Sequence, residues 1–489
     1  MSSTRRPSTE RTRARQPAVQ PVPAPPSRMA ATDALFWYAE SALPEFRPII
    51  AGLFGLDRAA IAEQIEASVA SAIALVPRLR QRVVEAPLHL GLPEWIEDPH
   101  FDLSYHLRHI SLPEPGGERE LLDLIAALFA TPLDRQRPLW EATWIDGLAG
   151  GRSAFLIKLH HSVVDGVGSA AILDALTTSD PGASPRRIPH AKRSRVAPLP
   201  SAAARLAALA LDQARGSARL AGRALGVPLE AIANPREGLE AAVRVARGLW
   251  GMVADVSRPV AHDPLAVPGS GLSRRLDISE VSIERLRKIK SPLGVTINDV
   301  VLAALSGALH AYHRERRVHA DALSCLVPMN LRGRDERDAL GNRVGMFTIA
   351  LPVGEKQTAR RLARIVEQTR AAKLDRRGAA APLLVEALTL LPGAVLRLLA
   401  RGALGRVNVA CTNVPGTRHP RWMAGARIES IHPFASVVEG TPLVMALLSY
   451  AGKMEIGIDT DPEAIPDPQR IAALFAAALD ELETLADRA

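Results

Sequence analysis

Two imidazoles stand side by side in the stretch FLIKLHHSVVDGVGSAAIL, residues 155–173: His160 and His161 end an apolar run, and Asp165-Gly166 follow. A neutral imidazole near pH 7 can take a proton from a hydroxyl, because its unperturbed pKa lies close to the operating pH. A histidine that ends a strand at a Gly-containing turn faces open space, as a general base must. Asp165 can orient the imidazole directly, or pair with a distant Arg and hold the turn in shape, and a polar residue followed by Gly166 is good turn chemistry. No GxSxG elbow and no cysteine nucleophile stands nearby, so covalent acyl-enzyme chemistry has no support. What remains is direct attack of a deprotonated acceptor on an activated acyl group.

These residues need a strand before them and a helix after. SAFLIKLHH alternates, so Phe155, Ile157, Leu159 and His161 share one face and His160 points to the other, where its role reads as structural. After the Asp165-Gly166 turn, SAAILDAL reads as a short helix with Ser169 as its N-cap. Order begins near TDALFWYAE, 32–40. Residues 58–79 have the helical period, Tyr105 to Ile110 look like a strand, and ERELLDLIAALFATPLD is helical again.

The coarse division is a basic Pro/Arg-rich tail at 1–28, an N-terminal lobe at 29–178, a connection at 179–273 and a C-terminal lobe at 274–489. Five prolines between 179 and 200 mark the clearest linker, and an alanine-rich helical region runs from 201 to about 256. In the second lobe Thr296 and Asp299 form a capping box at the start of a helix, and residues 467–489 form a terminal amphipathic helix.

Composition narrows the classes. Hydrophobic residues make up 47% of 489, enough for more than one globular core. Cys325 and Cys411 are the only cysteines and have no metal or redox spacing, so a disulfide scaffold is excluded and a reducing cytoplasm fits. Much of the formal charge of +8 sits in the first 28 residues, which lack hydrophobic periodicity and read as disordered. Few aromatics interleave with the basic residues, so no nucleic-acid partner is expected. The tail reads as solvated, with attraction to an anionic membrane surface as the alternative its charge allows. The longest apolar stretch, 381–404, is broken by Glu386, Pro392 and Arg397, so a soluble or peripheral protein is expected, on the inner membrane face or on lipid bodies if peripheral. His310, His313 and His319 have ligand-like spacing but Arg neighbours, so they read as a solvated helix face, and no metal is expected. The Arg-rich runs at 186–195 and 314–317 read as solvated surface, or as cationic patches for a coenzyme phosphate.

An ordered set of blocks resembles the bacterial wax ester synthase/acyl-CoA:diacylglycerol acyltransferase family from about residue 29 to 485. DALFWYAE is similar to that family's opening, and RPLWEATWIDGLAGGRSAFLIKLHHSVVDGVG to its central block, with Pro138-Leu139-Trp140 ahead of the two histidines. GVTINDVVLAALSGAL carries its Asn298-Asp299 element; LGNRVGMFTIALPV and TNVPGTRHPRWMAGARI are similar to its C-terminal lobe. The resemblance implies an α/β fold of two chloramphenicol acetyltransferase-like lobes, the CoA-dependent acyltransferase fold, with the active site between them. It implies transfer of a long-chain acyl group from acyl-CoA, a co-substrate beside which no cofactor is expected, to diacylglycerol, giving triacylglycerol, or to a long-chain alcohol, giving wax ester. His161 becomes the general base on this resemblance, with His160, Asp165 and Gly166 completing the motif. Asn298 falls where the family has a residue important for activity, and its amide could stabilise the thioester oxyanion. Pro328-Met329-Asn330, Leu265-Ala266 and residues 432–450 depart from the family's usual pattern, and these departures bear on the acceptor rather than the chemistry. Two other readings stay open: a condensation-type acyltransferase using carrier-bound donors, and a non-catalytic protein of lipid surfaces.

Overall fold

A computed structural model describes residues 27–42, 46–87, 91–163, 166–181, 201, 205, 207, 210–211, 263–266, 273–330, 344–375, 407–436 and 441–489. The basic tail, most of the helical connection and the 381–404 stretch therefore lie outside the described residues.

The first sheet is built around a strand with no wet face. Arg152–His160 (β6) puts Phe155, Ile157 and Leu159 into one core cluster and Ala154 and Leu156 into another. The alternation is real, but both sides are buried, as in a central strand covered twice. Lys158, on the second side, is only 2% exposed. Its ammonium makes an ion pair with Glu141 at 2.9 Å and donates to the carbonyls of Leu128 and Thr131, so a charge in the core is fully partnered.

Gln81–Val84 (β2) and Glu94–Glu97 (β3) form a separate two-stranded sheet, and around β6 the main sheet runs in the order Trp422–Met423 (β11), Ala426–Ala435 (β12), Ile49–Leu56 (β1), β6, Trp140–Leu148 (β5), Leu107–Ser111 (β4). Strands β1 and β5 flank β6 antiparallel, and β4 closes one edge parallel to β5. Helix Ala62–Leu75 (α2) and Glu118–Ala130 (α4) cover its two sides, with Ile65 and Val69 in one cluster and Leu122, Ile125 and Phe129 in the other. The helix expected at 58–79 is thus shorter, and a 3-10 turn at Pro77–Arg80 follows it because Pro77 removes a helical N–H donor. Helix Ala31–Ala42 (α1) opens the described chain, and one helical turn at Leu103–His106 (α3) precedes β4.

The second sheet runs β7-β14-β13-β10-β8-β9: Arg275–Ser282 (β7), Leu323–Asn330 (β8), Val344–Leu351 (β9), Val409–Val414 (β10), Leu443–Tyr450 (β13) and Lys453–Thr460 (β14). One face carries Ile283–Leu293 (α6), Ile297–Glu315 (α7), Thr358–Asp375 (α8) and Pro468–Ala486 (α9), whose apolar residues form a single core with the strands. The capping box of α7 is present: Asp299 N donates to Thr296 Oγ1 at 3.2 Å and Thr296 N donates to Asp299 Oδ2 at 2.9 Å.

Chain order does not separate the two sheets. Trp422–Met423 (β11) and Ala426–Ala435 (β12), which the sequence division places with the C-terminal lobe, belong to the first sheet, β12 pairing with β1 from Ile50↔Ala435 to Leu56↔Ile428. Their short alternating pattern carries no mark of which sheet will take them. Where β12 crosses to the second sheet, Gly457 of β14 makes the approach possible. A Cβ there would lie 1.8 Å from the Pro433 carbonyl oxygen.

Candidate active site

His161 is the first residue beyond β6, half-buried in a turn, and its backbone N–H donates to Pro48 O at 2.7 Å. It sits where β1 begins and where β6 and β12 both end: Ile49 pairs with His160, and Ser436, just past β12, donates to Ile49 O at 3.1 Å. The end of a strand from the C-terminal half therefore borders the motif from the N-terminal half.

Helix α1 packs over both imidazoles. The Phe36 ring stacks on His161 with centroids 3.9 Å apart and planes 16° from parallel. The next residue, Trp37, meets the His160 ring edge-on at 6.0 Å. One turn on, Glu40 Oε2 lies 3.7 Å from His160 Nε2 and 3.4 Å from Arg135. The Arg135 guanidinium lies 3.5 Å from the Trp37 ring centre and donates to Ser41 Oγ at 2.7 Å. Helical spacing does this: residues three and four apart share a face, so Phe36, Trp37 and Glu40 reach two adjacent rings.

His160 is held, not free. It is 1% exposed, its Nδ1 accepts the Ser162 backbone N–H at 3.1 Å and lies 2.6 Å from the Ser162 hydroxyl. With Nδ1 accepting, a neutral ring carries its proton on Nε2, toward Glu40. Burial pushes the His160 imidazole below its ordinary pKa, against the pull of Glu40. Burial alone would raise Glu40, but His160, Arg135 and Arg47 together hold its carboxyl below the ordinary value.

Burial pushes His161 down to about 4, and the His160 ring beside it adds to the shift. The ring is thus neutral throughout the physiological range. Its Nδ1 is buried with no hydrogen-bond partner among the described residues. Asp165, the residue expected to orient the ring or hold the turn, lies outside the described residues. Gly166 opens helix Gly166–Leu176 (α5), so the helix starts three residues before the expected cap at Ser169. Two glycines cost a helix about 1 kcal/mol each, less than the burial of Ile172, Ala175 and Leu176 returns. Arg421, just ahead of β11, anchors α5 by donating to Asp174 at 2.7 Å and Thr177 Oγ1 at 2.8 Å.

Asn298 is half-buried in the first turn of α7, next to the capping Asp299, whose other oxygen accepts from Thr369 at 2.8 Å. Among the described residues no hydrogen bond joins Asn298 to His161, so the structure does not bring these two together directly.

The other histidines depart from the expected solvated face. His313 is buried, its Nε2 3.2 Å from Asp263 and its Nδ1 2.8 Å from Leu309 O, and His310 Nδ1 lies 2.7 Å from Val353 O. They lock the end of α7 to its neighbours, and only His319, beyond the helix, stands in solvent. Among the described residues no three His, Cys, Asp or Glu side chains group as metal ligands. Of the two Arg-rich runs, 186–195 lies outside the described residues, and in 314–317 Arg316 is paired with Asp467 at 2.8 Å. No single helix among the described residues is long and apolar enough to cross a membrane.

Phe36, Glu40 and Arg135 carry no catalytic signature and were not singled out from the sequence as site residues. For Phe36 and Glu40 the one signal is TDALFWYAE, which marks the start of order and resembles the family's opening block, while Arg135 has none.

Comparison with known proteins adds the family. Residues 29–301 match the model described as the wax ester synthase/diacylglycerol acyltransferase catalytic domain, and residues 340–483 match the family's C-terminal domain. A Mycobacterium tuberculosis protein named "Probable diacyglycerol O-acyltransferase" is 32% identical over 436 residues, 87% of this chain and 89% of its own. A second protein of that name from the same organism is 31% identical over 405 residues, 80% of this chain and 83% of its own. Among solved structures, the wax ester synthase/diacylglycerol acyltransferase from Marinobacter aquaeolei superposes with a TM-score of 0.64 at 24% identity, over 94% of this chain and 100% of that one. The first condensation domain of the calcium-dependent antibiotic synthetase gives 0.57 at 18% identity, over 95% and 96%. These two establish the two-lobed α/β fold that the resemblance led us to expect. With both family models matched in order along its length, this chain belongs to the wax ester synthase/diacylglycerol acyltransferase family of acyltransferases.

Proposed function

We propose that the protein transfers a long-chain fatty acyl group from acyl-CoA to the hydroxyl of diacylglycerol, of a long-chain alcohol, or of both. The observation that carries this reading is His161: a half-buried imidazole just past the end of β6, kept neutral by burial, with Nδ1 buried and without a hydrogen-bond partner among the described residues. The acceptor hydroxyl gives its proton to that ring as its oxygen attacks the thioester carbonyl carbon. The tetrahedral oxyanion collapses, the C–S bond breaks, and the coenzyme A thiolate takes the proton from the imidazolium, leaving ester and free thiol. His160 holds the strand end through Ser162 and Glu40, and likeness to the family is what supports a supporting role for Asp165 and Gly166 and an oxyanion-donating role for the Asn298 amide. Acceptors of this class are insoluble in water, so we place the reaction at a lipid surface, the inner membrane face or a lipid body.

The test is thiol release from palmitoyl-CoA with hexadecanol or diacylglycerol as acceptor, with the ester products resolved. His161→Ala should lower acceptor-dependent release by about 100- to 10,000-fold, and Asn298→Ala by about 100- to 1,000-fold. Release that persists in the His161 variant would rule out that residue as the base. A carrier-bound donor would instead show as activity on acyl-pantetheine carriers and none on acyl-CoA. Lipid binding without any thiol release would mark a non-catalytic protein.

A further inference from the structure

Once it has taken a proton, His161 is a cation in a place that disfavours cations. Burial and the neighbouring His160 ring both oppose the charge. The residue's own backbone offsets this only in part, and Nδ1 has no hydrogen-bond partner among the described residues. An imidazole so placed is always ready to receive a proton but holds it weakly, so something in the site must favour the charged ring as it forms.

The group lying directly against that ring is Phe36. Neutral aromatic pairs favour offset or edge-on arrangements, with centroids about 4.5–7 Å apart. Here the centroids are 3.9 Å apart and the planes within 16° of parallel. A near face-to-face pair is poor for two neutral rings and good for a cation over the negative face of a benzene ring. The contact is also well braced. Phe36 is followed by Trp37, which is buried, stacked by Arg135 and hydrogen-bonded through Nε1 to Glu85 at 3.0 Å, so α1 cannot easily shift or turn.

We propose that Phe36 is a positioning residue for the acyl transfer: its ring face fixes the plane of the His161 imidazole and stabilises the imidazolium formed as the acceptor hydroxyl loses its proton. This rests on the reading of His161 as the base. Among the described residues the ionisable groups around the pair are His160 at the end of β6, Glu40 on α1, Arg135 ahead of β5 and Arg47 ahead of β1, and none of them changes in the Phe36 variants below.

The experiment measures kcat, KM and the pH dependence of kcat for the full-length protein with palmitoyl-CoA and hexadecanol. Wild type is compared with Phe36→Leu, Phe36→Met, Phe36→Trp and His161→Ala, each checked for folding by circular dichroism. Phe36→Leu and Phe36→Met keep an apolar side chain and lose the π face. The expected loss is about 3- to 30-fold in kcat with KM little changed, the acid limb moves to lower pH, and Phe36→Trp retains wild-type kcat or better. Met serves as the second apolar variant should Leu fail to fold. Wild-type kcat in an apolar variant overturns the proposal. So does an effect on KM alone, or a loss that Trp shares, since either marks simple fit. If His161→Ala keeps its activity, the base reading itself has failed, whatever the Phe36 variants do.

Discussion

Replacing Glu455 with Gln should stabilise the protein, and more so at high pH. Glu455 sits on β14 opposite Glu280 of β7, is fully buried, and neither carboxylate oxygen has a hydrogen-bond partner among the described residues. The nearest cation-forming group is His432 of β12, whose Nδ1 is 3.5 Å away. Burial pushes His432 down to about 4, so near neutral pH it offers Glu455 a neutral ring rather than a charge. Burial, with Glu280 adding and Lys453 opposing, pushes the Glu455 carboxyl up to about 7 from 4.5. A folded-state pKa raised above its unfolded value means the folded protein holds a proton that the unfolded chain has released. Stability from this group is therefore full below about pH 4.5 and is lost as pH rises through 7. A shift of about 2.5 units at 1.36 kcal/mol each comes to roughly 3 kcal/mol. Glu455→Gln keeps the shape and removes the titration. Thermal melts at pH 5 and pH 8.5 should show the variant gaining several degrees over wild type at the higher pH, at about 2–4 °C per kcal/mol for a unit of this size. At the lower pH the gain should be much smaller. An equal offset at both pH values would mean that Glu455 does not titrate between them, and the reasoning would be wrong.

Two further substitutions test the packing that frames the site. Gly457→Ala should cost about 3 kcal/mol, because its Cβ would run into the Pro433 carbonyl; a soluble variant with wild-type Tm would refute the crossing. Arg421→Ala should lower stability by about 1–2 kcal/mol, since it frees Asp174 and Thr177 at the end of α5. A melt that does not move would show that this tether is idle.

The elements nearest the chemistry were legible because their signals are local. The alternation of β6, the capping box of α7 and the amphipathic α9 each follow from a few neighbouring residues. What sequence could not show is what depends on distant partners. Lys158 looks like a solvent-facing charge in an alternating strand until Glu141 and two carbonyls are placed around it. His313 looks like a surface residue until Asp263, fifty positions away, meets its ring. At the site, the histidine pair announces itself by type and spacing, whereas Phe36 and Glu40 are an ordinary aromatic and an ordinary acid. Their meaning comes from the helix that carries them being laid across the strand end. Strands β11 and β12 are the largest case, since pairing across some 370 residues leaves no trace in either segment.

That last pairing makes the two sheets one folding commitment. With β12 on β1, the first sheet has six strands and its β1 edge is covered. A polypeptide emerging from the ribosome reaches β1, β5 and β6 long before residue 426 exists, and until then the backbone of β1 offers a bare row of donors and acceptors beside the histidine motif. Such an edge invites pairing with another chain. The motif therefore gains its finished surroundings only late in synthesis, so that a truncated N-terminal fragment would carry the histidines and yet be a sticky, incomplete sheet rather than a small enzyme.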